Sequence, residues 1–234
     1  DPRASARPPP PSDEDMAALQ RRINEARSRP RLPLLVVDAM VPGQRLRFSS
    51  GDASLENALQ EGSGEAIILG AWKGAILRHG VVGSMQRTDG GQWELRGRRH
   101  VKVLPPIERT LDDINMARAE FIEDEVREAD IQVARSLRPL VQEWRQLVEG
   151  TKFERFEGQI LGVLDDMGPM PRDEDAGALA LWVAGLINPL PGLGVAHEIR
   201  PAALSAEAVG ERLTVVLEGI KGSIGHLSGK KPLF

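Results

Sequence analysis

The 234 residues suffice for one large domain or two small lobes with a buried core, since domains usually run to about 100 to 200 residues. Hydrophobic residues at 41% and charged residues at 27% argue against a disordered chain, and no apolar run approaches the roughly 20 residues that span a bilayer. The net charge of −4 is spread over interspersed acids and arginines, and the absence of cysteine excludes disulfides, thiolate nucleophiles and cysteine-ligated metal sites.

The chain opens on Asp1 and not methionine, which fits a longer precursor that has been processed or trimmed, with any targeting peptide gone. Asp1 to Pro11 is rich in arginine and proline, and the run Pro8, Pro9, Pro10 and Pro11 favours an extended, solvated backbone. Ser12 ahead of three acids, with Met16, Leu19 and Ile23 at helical spacing, predicts a short helix to about Arg27. Residues 1–31 are therefore expected to form an arm.

From Leu32 short apolar runs alternate with Gly, Asp and Pro, as strands and turns do. Strands are predicted at Leu34–Val37, Gln44–Phe48, Ala66–Leu69, Ala75–Leu77, Val81–Gln86, Gln92–Leu95 and His100–Leu104. A short helix over Ala53–Gln60 interrupts them, and Asp89-Gly90-Gly91 is the strongest hairpin signal. Ile114–Glu123 alternates imperfectly and is read as a closing strand against a competing helical reading. Residues 32–125 thus make a β-rich lobe.

After Glu125 the period becomes 3.6: Ile131, Leu137, Leu140, Val141, Trp144, Leu147 and Val148 form one stripe up to Gly150. Further helices are predicted over Phe153–Asp166, Asp173–Ile187 and Ser205 to about Ile220, with Asp173 and Ser205 as N-caps and Asn188-Pro189 ending the second. Residues 126–225 then form a helical lobe, and 226–234 a tail.

Leu32-Pro33-Leu34-Leu35 followed by Val41-Pro42-Gly43 resembles the opening of the Lon protease N-terminal domain, where L-P-L-x-P-L precedes F-P-G. His79-Gly80-Val81-Val82 is similar to that family's glycine-led strand, and Leu95-Arg96-Gly97-Arg98-Arg99 to its V-x-G-x-x-R strand. Leu179-Ala180-Leu181-Trp182-Val183-Ala184 and Leu204 to Leu213 resemble its alanine-rich helix and its closing A-x-x-R-L helix. Two departures stand out: Val41 takes the place of phenylalanine before Pro-Gly, and His100 and Val101 stand where another phenylalanine is usual. The resemblance implies an α+β fold, a PUA-like barrel or sheet lobe followed by a helical bundle, and binding of exposed protein segments without chemistry.

No catalytic apparatus is apparent. A Walker A loop needs G-x-x-x-x-G-K-[ST], and Gly229-Lys230-Lys231 lacks both the first glycine and the hydroxyl. His79, His100, His197 and His226 have no ligand spacing, so no metal or cofactor is expected. Asp165-Asp166 and Asp173-Glu174-Asp175 flank Pro169 to Pro171; helix starts explain them better than a hard cation does. Arg96 and Arg98 concentrate charge on one strand. Without interleaved aromatics for base stacking, a solvated strand face is favoured over RNA binding, so no nucleic-acid partner is expected.

Trp93, Trp144 and Trp182 are read as core, whereas Trp72, between Gly70 and Gly74, is a candidate for facing a partner. The candidate contact residues are thus Trp72, Arg96, Arg98, Pro8, Pro9 and Pro10, with apolar surface between the lobes receiving partner proteins. The competing reading is a fixed accessory subunit of a large assembly, such as a plastid photosynthetic complex, its arm docked on neighbours. Any membrane association would run through such a partner. A plastid address is expected from the resemblance to stand-alone plant and algal members, with the cytoplasm as the alternative.

Overall fold

The computed structural model describes residues 28–49, 63–110, 113–187 and 196–230, together with 12, 16, 17, 20, 24, 25, 56, 57 and 59; of 196–198 only the backbone is described. The arm's Pro8, Pro9 and Pro10 and the stop at Asn188-Pro189 lie outside the described residues. Most of the two short helices expected before residue 61 does so too; those members that are described, such as Glu25 and Leu59, are helical.

Six strands are described: β1 (Leu32–Val36), β2 (Arg45–Phe48), β3 (Glu65–Trp72), β4 (Ala75–Arg87), β5 (Trp93–Arg109) and β6 (Asn115–Phe121). They form one sheet in the order β2-β5-β4-β3-β1-β6, and an additional β5–β6 pairing closes five of them into a barrel. Only β1 and β3 run parallel; the other pairs are antiparallel.

The apolar run of β3 is continuous because both its faces are covered. Ile67 and Leu69 point into the barrel with Leu34, Val82, Val101, Val103 and Ala117, while Ala66 and Ile68 pack outside it with Met40, Val81, Trp93 and Leu95. The Lys73-Gly74 turn, with φ values of 49° and 79°, joins β3 to β4 with Trp72 opposite Ala75; two positive φ values match the twist of a tight hairpin. Asp89-Gly90-Gly91 turns between β4 and β5 as its composition predicts, with the Gly91 amide donating to the Thr88 carbonyl.

Strands expected in separate pieces are continuous. Ala75–Leu77 and Val81–Gln86 belong to the one strand β4, and Gln92–Leu95 and His100–Leu104 to β5. The intervening Arg78-His79-Gly80 and Arg96–Arg99 were left between the expected strands, yet they lie within β4 and β5. A Cβ on Gly80 would sit 2.1 Å from the Ile68 carbonyl oxygen, so glycine there permits close strand contact rather than ending the strand. Ile114–Glu123 does form the closing strand, β6.

Five helices follow: α1 (Glu128–Val148), α2 (Gln159–Met167), α3 (Ala176–Ile187), α4 (Ala196–Ser205) and α5 (Val209–Leu227). In α1, Ala134, Leu137, Val141, Trp144 and Val148 form the buried stripe, and the Asp130 carboxylate accepts from the Arg127 amide at 2.9 Å to cap its start. α3 is buried almost all round and packs against the other four helices or their neighbours as the centre of the bundle.

Three helix boundaries differ from the sequence reading. α2 starts at Gln159 rather than Phe153, because Glu154 folds back to accept from the Gly150 and Ile160 amides and Gly158 takes φ 76°. Asp173 is not a cap; it pairs with Arg138, and the carbonyl of Asp175 accepts the first helical bond of α3, from Leu179. Ser205 ends α4 instead of starting a helix, and α5 begins at Val209. The helix α4, with Pro201 inside it, was not among the expected elements.

The two regions share a core. Ala39 and Val41, from the loop after β1, are buried within the helical cluster beside Val183, Leu186 and Ile187. Among the described residues no helix is long and apolar enough to cross a membrane.

Candidate functional site

The barrel interior opens at one end. There Leu34, Leu69, Ile76, Leu77, Arg78, Val103, Pro105, Ile107 and Asn115 line a cleft of about 430 Å³, contributed by five different strands. Its walls are mainly apolar, and Ile76 and Ile107 are 57% and 53% exposed. Half-exposed isoleucines at a barrel mouth lose no packing by being covered, which makes such a place suited to receiving apolar ligand surface.

Local pairing opens the mouth. The β4–β5 ladder stops at His79 opposite Lys102, although β4 continues to Ala75 and β5 to Arg109. On its other side β4 jumps from Gly80 opposite Leu69 to Ile76 opposite Ala71, so residues 77–79 bulge. The β5 register against β6 jumps likewise between Leu104 and Glu108. Pro105 and Pro106 carry no N–H and cannot donate across the gap to β4. The seam between β4 and β5 is therefore split at this end.

Among the described residues Arg78 is the only charged one in the cleft lining, and it has no hydrogen-bond or ion-pair partner there. Trp72 lies one ladder rung beyond Ile76 on the β3–β4 hairpin, half-buried, with the Lys73 ammonium 4.3 Å from its ring centroid. Arg96 and Arg98 lie elsewhere. Both are exposed on the first half of β5, where Arg96 faces Arg45 in register and Arg98 reaches to 3.8 Å from Glu65. The residues picked out from the sequence are thus not gathered at one place.

One cleft between the lobes is acidic: among the described residues Glu123, Glu125, Asp130, Glu207 and Glu211 line it with Arg127, so it is not the apolar surface expected there. Charged residues occupy it because it is built from the β6–α1 link and the start of α5, both solvent-facing. Asp165 and Asp166 end α2 instead of starting a helix, and pair with Arg45. Among the described residues no three His, Asp or Glu side chains gather as metal ligands.

Beneath that acidic surface lies a buried cluster whose members carry no local signal of their pairing. Arg212 donates to both oxygens of Asp124 at 2.9 Å and lies 3.4 Å from Nδ1 of His100. The His100 Nε2–H donates to the Leu204 carbonyl at 2.8 Å, which leaves Nδ1 as the acceptor facing Arg212. Burial, and then the Arg212 charge, hold His100 down at about 4; burial and Lys102 lower His79 in the same direction. A neutral, fully bonded histidine of this kind joins α4 and α5 to the barrel.

No family model matches the chain, and no curated protein matches it in sequence. Among solved structures, the N-terminal domain of Mycobacterium avium complex Lon protease superposes with a TM-score of 0.57 at 19% identity, covering 82% of this chain and 98% of that one. The Lon N-terminal domain protein from Xanthomonas campestris gives a TM-score of 0.46 at 16% identity, over 80% and 96% of the two chains. The first likeness shows the fold: the chain has the α+β architecture of a Lon N-terminal domain.

Proposed function

We propose that this chain is a non-catalytic protein-binding module, and that exposed segments of partner proteins dock in the open mouth of its barrel. The observation that supports this reading is the half-exposed pair Ile76 and Ile107 over an apolar cleft of about 430 Å³. The fold neighbour is the N-terminal domain of a protease, and the sequence resemblance implies capture of exposed segments; both agree with a recruiting role. Trp72, on the adjoining hairpin, would widen the contact area.

The test is binding of a permanently unfolded protein, reduced and carboxymethylated α-lactalbumin, followed by fluorescence anisotropy. Wild type should bind it, and Ile76→Ser with Ile107→Ser should weaken binding about tenfold or more while the melting temperature holds, since both side chains are already exposed. Unaltered affinity in the double variant would remove the mouth as the docking site.

A further inference from the structure

From the split seam we infer how a partner binds: an extended peptide adds as a strand along the free β4 edge at residues 75–78, with an acidic side chain set against Arg78. The inference rests on the docking site proposed above and specifies its ligand.

A strand edge without a partner is a template for another strand, which proteins normally cover or charge. Here β4 runs on for four residues past the end of its ladder with β5, from Arg78 back to Ala75. The strand that would complete the ladder is withheld, because β5 bulges away at Pro105, Pro106 and Ile107 and two of these lack a donor. An incoming chain in the gap could pair its backbone with β4. Its apolar side chains would lie against Ile76, Ile107 and Val103 in the cleft.

Charge sets the remaining requirement. Among the described residues the cleft lining holds one cation, Arg78, and no acid. Since Arg78 has no partner among the described residues, a carboxylate brought beside it gains an ion pair without breaking another, whereas a lysine there meets uncompensated repulsion. The preferred segment is therefore extended, apolar at alternate positions, and carries Asp or Glu two positions from an apolar residue, matching the spacing of Ile76 and Arg78.

The probe is a fluorescein-labelled peptide, Ser-Val-Ser-Val-Ser-Glu-Ser, compared with its Glu-to-Lys counterpart and with two backbone N-methylated forms, methylated on alternate sets of residues. With the full chain, the Glu peptide should bind about fivefold or more tighter than the Lys peptide, and Arg78→Glu should reverse that order. One methylated set should lose about tenfold and the other little, as expected when a single strand edge is engaged.

The readouts separate the two ideas. If unfolded α-lactalbumin binds through Ile76 and Ile107 but the Glu and Lys peptides bind alike, or both methylated sets bind like the parent, strand addition is wrong and the docking site stands. If α-lactalbumin itself does not bind, both fall. Arg78→Glu changes an exposed side chain, and retention of its circular dichroism spectrum and melting temperature excludes misfolding as the cause of reversal.

Discussion

Arg212 of α5, with none of its side chain exposed, grips both carboxylate oxygens of Asp124 at 2.9 Å, and Asp124 stands on the link between the barrel and the helices. A buried guanidinium is tolerable only while its charge is matched, so the pair fixes how α5 sits on the barrel end.

Asp124→Ala should cost about 3 kcal/mol, at the low end for stranding a buried charge because Asp124 is itself 26% exposed. Urea denaturation monitored by tryptophan fluorescence measures it. A loss under about 1 kcal/mol would mean that water reaches and solvates Arg212.

Gly177 on α3 owes its identity to the same pair. A Cβ there would lie 1.8 Å from Asp124 Oδ2 and 2.8 Å from Arg212 Nη1. Gly177→Ala should destabilise by about 2 kcal/mol or more, although alanine ordinarily favours a helix by up to about 1 kcal/mol. In an Asp124→Ala background the same change should cost little. The double-mutant cycle checks this coupling, and simple additivity would contradict it.

His100 makes stability depend on pH in a stated window. Its folded pKa, about 4, lies below the roughly 6.5 of an unfolded histidine, so its contribution is complete above pH 6.5 and lost as pH falls toward 4. The unfolded chain takes up a proton that the folded one refuses, a loss reaching about 3 kcal/mol below pH 4. Arg212 on α5, Asp124 on the link and His79 on β4 face the ring. Urea stability of His100→Gln should fall less between pH 7 and 4.5 than that of wild type. His79, also lowered, should leave the variant a residual slope.

Val41, which stands where the resembling family has phenylalanine, is fully buried in the helical core. Its Cγ2 is 2.9 Å from where a Cβ on Gly185 would be, so no room is left beside α3. Val41→Phe should overpack this point and cost about 1 to 3 kcal/mol, seen as a lower melting temperature. An unchanged or higher value would reveal slack in the core that the geometry does not contain.

Much of the architecture was legible because it depends on neighbours in the chain. The 3.6-residue stripe from Ile131 to Val148 specified α1, glycines specified the 89–91 turn, and apolar alternation specified β6. Tertiary pairing decided what local composition did not: Arg78-His79-Gly80, left between two expected strands, stays within β4 because pairings at Ile76 and Gly80 hold its ends.

The candidate site was less legible. Trp72 was recognisable from its glycine neighbours, but Ile76 looked like an ordinary strand residue, and Arg78 and Ile107 fell outside the expected strands. Their meaning arises when β4 and β5 part beyond His79 and Lys102, a matter of register between segments more than 20 residues apart in sequence. The Asp124–Arg212–His100 cluster was hidden for the same reason, its members being brought together across separations of 88 and 112 residues. Sequence by itself determined the periodicities and turns, because these follow from steric and hydrophobic preferences over a few residues. Only the tertiary structure decided which edge stays open and which charges are buried, because ladder closure and desolvation depend on segments the local sequence does not contain.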